Sequence, residues 1–208
     1  VGNVIPLTKT LDPEDYHLLG PELCVVDRFF SKESEQHPHR RWEYAMALRA
    51  ARLWGEEHPG RIALDVGGAG SPLVHMLDHE GFLPLVIDPK ENANLEDTLD
   101  WSKCYANFVT CISTLEHVRD FFPFLEALGK VVEPGGVLFL TMDIWGQEAP
   151  DSAHFHWMRE RIFTPKTWTM TAQQLLVKGF SFLGEQDWEY HGDQVYDYSF
   201  ASLALVKE

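Results

Sequence analysis

The clearest periodicity in the chain lies between residues 40 and 57. Tyr44, Ala47, Leu48, Ala51 and Trp54 recur at helical spacing, while Arg49, Arg52 and Glu56 fall on another face. His58-Pro59-Gly60 closes that helix. The pattern then changes to short apolar runs divided by turns. Ile62 to Val66 reads as a buried strand, and Gly67-Gly68-Ala69-Gly70 as a turn. Ser71-Pro72 opens a helix as N-cap and first helical residue, and Gly81 ends it. Leu83 to Ile87 is a second strand ending at Asp88-Pro89, and Asn107 to Ser113 a third. Residues 119–132 carry Phe121, Phe124, Leu125, Leu128 and Val132 on one helical stripe. Pro134-Gly135-Gly136 reads as a turn into a strand, Val137 to Met142, apolar enough to be central. Thr164-Pro165 opens a late helix that runs to Lys178 and stops at Gly179. Ser199 to Val206 alternates as a strand, with residues 181–190 as its candidate partner.

Residues 1–39 show no period, and Pro6, Pro13, Pro21 and Pro38 interrupt them. Their apolar residues (Tyr16, Leu18, Leu19, Val25, Val26, Phe29 and Phe30) predict a packed arm rather than a free tail. The repeated exchange of strand and helix predicts one α/β domain: a doubly wound, mostly parallel sheet with helices on both faces, in three αβα layers. The parts are an arm and helix (1–57), a core of alternating strands and helices (60–142), an intervening segment (143–163), and a late helix with terminal strands (164–208).

Composition narrows the function. The 208 residues carry 17 basic and 32 acidic side chains, a net charge of −15, which disfavours a nucleic-acid partner. His37, His39, Arg40 and Arg41 form the one dense basic run, read as a solvated helix start. Cys24, Cys104 and Cys111 are too sparse for a disulfide framework or a zinc site, and Cys111 reads as a core thiol. No apolar run approaches the ~20 residues of a membrane span. The expectation is a reducing, cytoplasmic location. The start, Val1-Gly2-Asn3, has no signal-peptide pattern and no Met, so the sequence reads as trimmed or as part of a longer chain.

The turn after the first parallel strand holds the candidate chemistry. Parallel sheets bind ligands beyond the carboxyl ends of their strands, where the strand order reverses. Glycines there let the backbone approach a ligand, and the next helix start offers free N–H groups. Asp88 ends the second strand 21 residues beyond Gly67, near the ~20 expected of a carboxylate that accepts a ribose diol. A glycine-rich turn is shared with nicotinamide-dependent oxidoreductases, although Gly67, Gly68 and Gly70 miss their Gly-x-Gly-x-x-Gly spacing. A purely structural turn is the plainer alternative.

Four segments taken together are more specific. Leu64 to Gly70 resembles the first motif of class I S-adenosylmethionine-dependent methyltransferases, and Val86-Ile87-Asp88 the second. Ile112-Ser113-Thr114-Leu115-Glu116-His117-Val118 is similar to the family's fourth-strand motif, which often ends Leu-Glu-His-Val. Val132 to Leu138 resembles the turn into its fifth strand, and the helix from Thr164 to Gly179-Phe180 matches its late helix. The turn departs from the family's acidic-x-Gly-x-Gly-x-Gly: Ala69 and Ser71 stand where glycines are usual, and alanine resists positive φ.

The resemblance implies a Rossmann-like, seven-stranded sheet ending in an antiparallel hairpin strand. It also implies S-adenosyl-L-methionine as cofactor and S-adenosyl-L-homocysteine as product. Asp65 would fix the turn or face the methionine end. Gly67, Gly68, Ala69 and Gly70 would line the cofactor, and Asp88 would hold its ribose. Asp100 could meet the adenine amine, in competition with Glu96 and Asp97, and Trp101 would either cover the ring or lie in the core. Ser113 and Thr114 would face the sulfonium.

His117 is a candidate base or a cofactor-lining residue. His154 and His156 are candidate bases, substrate ligands or surface residues. Asp143 could gather a metal with those two histidines, but no clear ligand set emerges and none is expected. The acceptor is expected to be a small molecule, chosen by the aromatic-rich segments 1–39, 143–163 and 184–198, whose aromatics would equally suit a lid or a contact between copies. A non-catalytic protein that binds the cofactor, or serves in assembly, is the alternative reading.

Overall fold

The computed structural model describes residues 5–30, 40–55, 58, 61–88, 105–118, 120–146, 163–191 and 198–208. The chain begins with a short strand, β1 (Lys9–Thr10), and helices α1 (Asp15–Leu18), α2 (Gly20–Phe29) and α3 (Arg40–Gly55). Then follow β2 (Ile62–Val66), α4 (Leu73–His79), β3 (Leu83–Ile87) and β4 (Ala106–Cys111). A 3-10 turn (Leu115–His117) leads to α5 (Phe121–Val131) and β5 (Val132–Ile144). The chain closes with α6 (Pro165–Leu176), β6 (Phe180–Phe182) and β7 (Ser199–Lys207).

The strands form one seven-stranded sheet in the order β1-β7-β5-β4-β2-β3, with β6 also on β7. The pairs of β2 with β3, β2 with β4 and β4 with β5 are parallel, whereas β7 runs antiparallel to β5. One face is covered by α2, α3 and α4, whose Val26, Ala47, Leu48, Ala51 and Met76 pack on Ala63, Phe108 and Phe139. The other is covered by α5 and α6, through Phe124, Leu128, Trp168 and Leu175 on Leu64, Val109 and Leu140. This is the expected three-layer α/β architecture. No helix among the described residues is long and apolar enough to cross a membrane.

Several local expectations need correction. The N-terminal region is not irregular: α1 and α2 occupy residues 15–29, and Pro21 sits in the first turn of α2, where a missing N–H costs nothing. The arm does pack, with Leu11, Leu19 and Val26 fully buried, but Leu18 points out at 40% exposure. Lys9 is ion-paired with Asp15 at 2.5 Å, and the Trp42 indole donates to the same carboxylate at 2.9 Å, tying the arm to α3. Because α2 covers a second side of α3, Trp42, Ala45, Met46 and Ala50 are buried beyond the expected stripe.

The helix after the glycine turn begins at Leu73, one residue later than expected, with the Ser71 hydroxyl accepting from the Leu73 amide at 3.1 Å. Pro134-Gly135-Gly136 is no free turn but a bulge within β5, where the register with β4 jumps between Ala106 and Phe108. Gly136 passes so close to β4 that a Cβ would lie 2.8 Å from the Asn107 carbonyl. Of residues 181–190, the ladder with β7 runs through Phe182 and is followed by one bond from the Leu183 amide to the Ala204 carbonyl; Trp188 instead packs on Trp168. Thr164 and Thr167 form a reciprocal cap on α6.

Candidate functional site

At the carboxyl ends of β2 and β4 the sheet changes direction, and a cavity of about 670 Å³ opens there. The turn Gly67 to Pro72 forms one wall, and Asp65, Asp88, Ile112 to Thr114 and His117 contribute to the others. Arg40, Tyr44 and Phe30 reach it from the N-terminal layer.

The turn explains its own departures from the expected glycine pattern. Gly67 and Gly70 adopt positive φ, of 84° and 72°, and Ala69 does not. A Cβ on Gly67 would also strike the Thr114 side chain, and one on Gly68 would strike the Asp65 carboxylate. Three glycines therefore stand where φ or space demands them, while positions 69 and 71 demand neither. Backbone bonds hold the loop: the Gly67 amide donates to the Ile87 carbonyl at 2.7 Å, and the Ala69 amide to Asp88 Oδ2 at 2.9 Å.

Asp65 and Asp88 are both buried. Asp65 Oδ1 accepts from the Thr110 hydroxyl at 2.8 Å, while Oδ2 lies buried beneath Gly68 with no hydrogen-bond donor among the described residues. Burial pushes the Asp65 carboxyl up to about 6, against the pull of the Thr110 hydroxyl.

The segment after β4 divides its side chains between two tasks. Ser113 is the one non-glycine described residue at positive φ, 38°. Its hydroxyl donates to Glu43 Oε1, which also accepts from the Thr141 hydroxyl. Ser113 thus lines the cavity with its hydroxyl bonded back toward α3. Thr114 lies against Gly67 and donates to the Ile112 carbonyl at 3.0 Å. His117 ends the 3-10 turn, exposed at the cavity edge. Asp100, Trp101, His154 and His156 lie outside the described residues, so their proposed roles have no structural placement.

Sequence reasoning missed the contribution of α3. Arg40 was read as part of a solvated basic run, but it starts this helix and lines the cavity, with its side chain 33% exposed. It pairs with the fully buried Glu43 at 3.3 Å. Tyr44 joins it, and burial raises its phenol. Behind them, the Asp143 amide donates to Glu116 Oε1, and burial pushes both the Glu116 and Asp143 carboxyls up. The available signal was Glu43 itself: a carboxylate next to the apolar run Tyr44 to Leu48, three residues after an arginine.

A family model described as a methyltransferase domain matches residues 37–184. No curated protein matches by sequence. Geranyl diphosphate C-methyltransferase from Streptomyces coelicolor A3(2), solved with Mg2+, geranyl diphosphate and S-adenosyl-L-homocysteine, is 13% identical with a TM-score of 0.55, over 98% of this chain and 100% of that one. TehB from Haemophilus influenzae is 15% identical with a TM-score of 0.52, over 78% and 61%. Magnesium protoporphyrin IX methyltransferase from Synechocystis PCC 6803, with bound SAM, is 15% identical with a TM-score of 0.50, over 94% and 95%. At these identities the likeness to solved structures is one of fold.

Proposed function

The chain belongs to the methyltransferase-domain family, and from that premise we propose that it transfers a methyl group from S-adenosylmethionine to a small organic acceptor. The observation that carries this reading is the glycine turn under the cavity, bounded by the buried carboxylates Asp65 and Asp88 at the switch point of the sheet. The cofactor would supply an electrophilic methyl group on a sulfonium with a good leaving group.

The residues fit such a group. Gly67 and Gly68 stay bare because Thr114 and Asp65 fill the space a side chain would need, which draws the turn tightly against these two cavity-lining residues. Asp88, oriented by the Ala69 amide, is assigned to the ribose diol. Asp65, bonded to Thr110 beneath Gly68, is assigned either to fixing the turn or to facing the amino-acid end of the cofactor. Thr114 and the backbone at Ser113 border the reacting side. Asp100 and Trp101 remain assigned to adenine. The protein's part in such a displacement is alignment and exclusion of water. A nucleophile that carries a proton also needs a base; His117, at the cavity edge, is assigned that role, with His154 and His156 as the alternatives. The small acceptor is supported by a cavity in the ordinary range for small ligands and by a net charge of −15, unsuited to phosphate backbones.

Calorimetry tests the cofactor directly. Titration with S-adenosylmethionine and S-adenosylhomocysteine should give micromolar dissociation constants, and no binding by either at about 100 μM removes the reading. Release of S-adenosylhomocysteine across a panel of small acceptors then tests transfer. Tight binding with no turnover on any of them favours a non-catalytic binding protein instead.

A further inference from the structure

The cavity wall holds a strained residue. Among the described residues other than glycine, Ser113 alone has a positive φ, of 38°. It stands just beyond β4, between Ile112 and Thr114, and all three line the cavity. Left-handed backbone is costly for a residue with a Cβ, and glycine or asparagine fills such positions where only a tight turn is needed. A serine stays there only if the surrounding structure restrains it.

The restraint is a buried carboxylate from another layer. The Ser113 hydroxyl donates to Glu43 Oε1, and the Thr141 hydroxyl donates to the same atom. The Ser113 amide donates in turn to Thr141, to its hydroxyl oxygen at 3.1 Å and to its carbonyl at 3.2 Å. Ser113, Glu43 and Thr141 thus close a ring of hydrogen bonds shut off from water, since Glu43 and Thr141 are fully buried and Ser113 nearly so. The kink is also passed on. Thr114 donates back to the Ile112 carbonyl at 3.0 Å and fills the space against Gly67, so the conformation at Ser113 sets what the glycine turn packs on.

We propose that Glu43 is a positioning residue for the cofactor, acting through Ser113: its carboxylate holds the left-handed kink after β4 and so sets the cavity wall from Ile112 to Thr114. The inference rests on the cofactor reading above. The physical reason is strain. Without the bond from hydroxyl to carboxylate, a residue with a Cβ gains by relaxing to negative φ, and that rotation turns the peptide planes on either side. Ile112 and Thr114 move with it, and the contact of Thr114 with Gly67 is lost. A glycine at 113 gives up the same bond but has no such tendency to relax. The role thus lies in the backbone conformation rather than in the hydrogen bond itself, which separates it from a contribution to stability alone.

The test is calorimetry with S-adenosylhomocysteine on variants whose folding is checked by urea denaturation. S113A and S113G both remove the hydroxyl, and only S113A keeps a Cβ. S113A should weaken binding about tenfold, and S113G by no more than about threefold. E43A should match S113A. E43Q, which keeps an oxygen for both hydroxyls, should lose less. Adding S113G to E43A should recover most of the E43A loss, a non-additivity expected only if the two residues act through one backbone conformation. If E43A does not fold, the comparison of S113A with S113G decides by itself. Native affinity in S113A, equal weakening in S113A and S113G, or an E43A loss that S113G does not reduce overturns the inference. If the native chain does not bind S-adenosylhomocysteine, the cofactor reading fails first, which is a different result.

Discussion

The backbone amide of Ala69 donates to the Asp88 carboxylate across 2.9 Å, so the glycine turn after β2 and the end of β3 form one hydrogen-bonded unit. A carboxylate held in this way is oriented before any ligand arrives, and the turn it holds depends on it in return.

Replacing Asp88 therefore disturbs both binding and the loop. D88A should weaken S-adenosylhomocysteine at least tenfold, the loss expected of a hydrogen-bonded charged group. D88N keeps an acceptor for the Ala69 amide and should fall between D88A and the native chain. Calorimetry on the three proteins checks the order; equal affinities would remove Asp88 from the ribose assignment.

The turn makes a ranked prediction about glycines. G68A pushes a methyl group into the Asp65 carboxylate and should destabilise by about 1–3 kcal/mol. G67A meets Thr114 and also a φ of 84°, so it should cost more. A69G relieves no strain and should change stability by less than about 1 kcal/mol. Urea denaturation of the three variants checks the ranking.

Glu43 joins the site to the fold. Its carboxylate receives the Ser113 and Thr141 hydroxyls and pairs with Arg40. E43A strands those partners and should cost about 3–5 kcal/mol, as for other broken buried pairs. E43Q keeps an acceptor oxygen and should cost less. Thermal and urea unfolding measured together would show this, and an E43A as stable as native would exclude the network as a fold determinant.

The Asp65 carboxyl gives a signed pH dependence. Its folded value, about 6, lies above its ordinary 3.8, so between these values the folded chain binds more protons than the unfolded one. Stability attributable to Asp65 is thus fully present below 3.8 and lost as pH rises through 6, on the order of 3 kcal/mol in all. D65N, which does not ionise, should gain stability relative to native as pH rises from about 4 to about 7. Denaturation midpoints of both proteins along that series check the sign; a constant difference would show that Asp65 does not titrate there.

Much of the fold was legible because its signals are local. The strand Ile62–Val66, the strand Leu83–Ile87 and the stop at Gly179 were read from apolar runs and glycine punctuation, which act over a few residues. The first two helices were not, because they are short and proline-flanked and draw their stability from packing against α3. The bulge at Pro134 to Gly136 looked like a turn because the same residues serve both; only the neighbouring β4 makes it part of a strand.

The sequence by itself determined that this chain is an α/β protein with a glycine turn and a strand-end carboxylate about twenty residues apart. It did so because strand period, helix period and turn chemistry are written in neighbouring residues. Tertiary structure decided the rest of the site. It showed that Ala69 needs no positive φ, that Gly68 makes room for Asp65, and that Ser113 is bonded to Glu43. It also brought Arg40 to the cavity from a helix that precedes the turn by 27 residues, counting from Arg40 to Gly67. A charge's role depends on which groups desolvate and face it, and those come from α3, β2, β5 and the 3-10 turn, which meet only when the sheet is assembled.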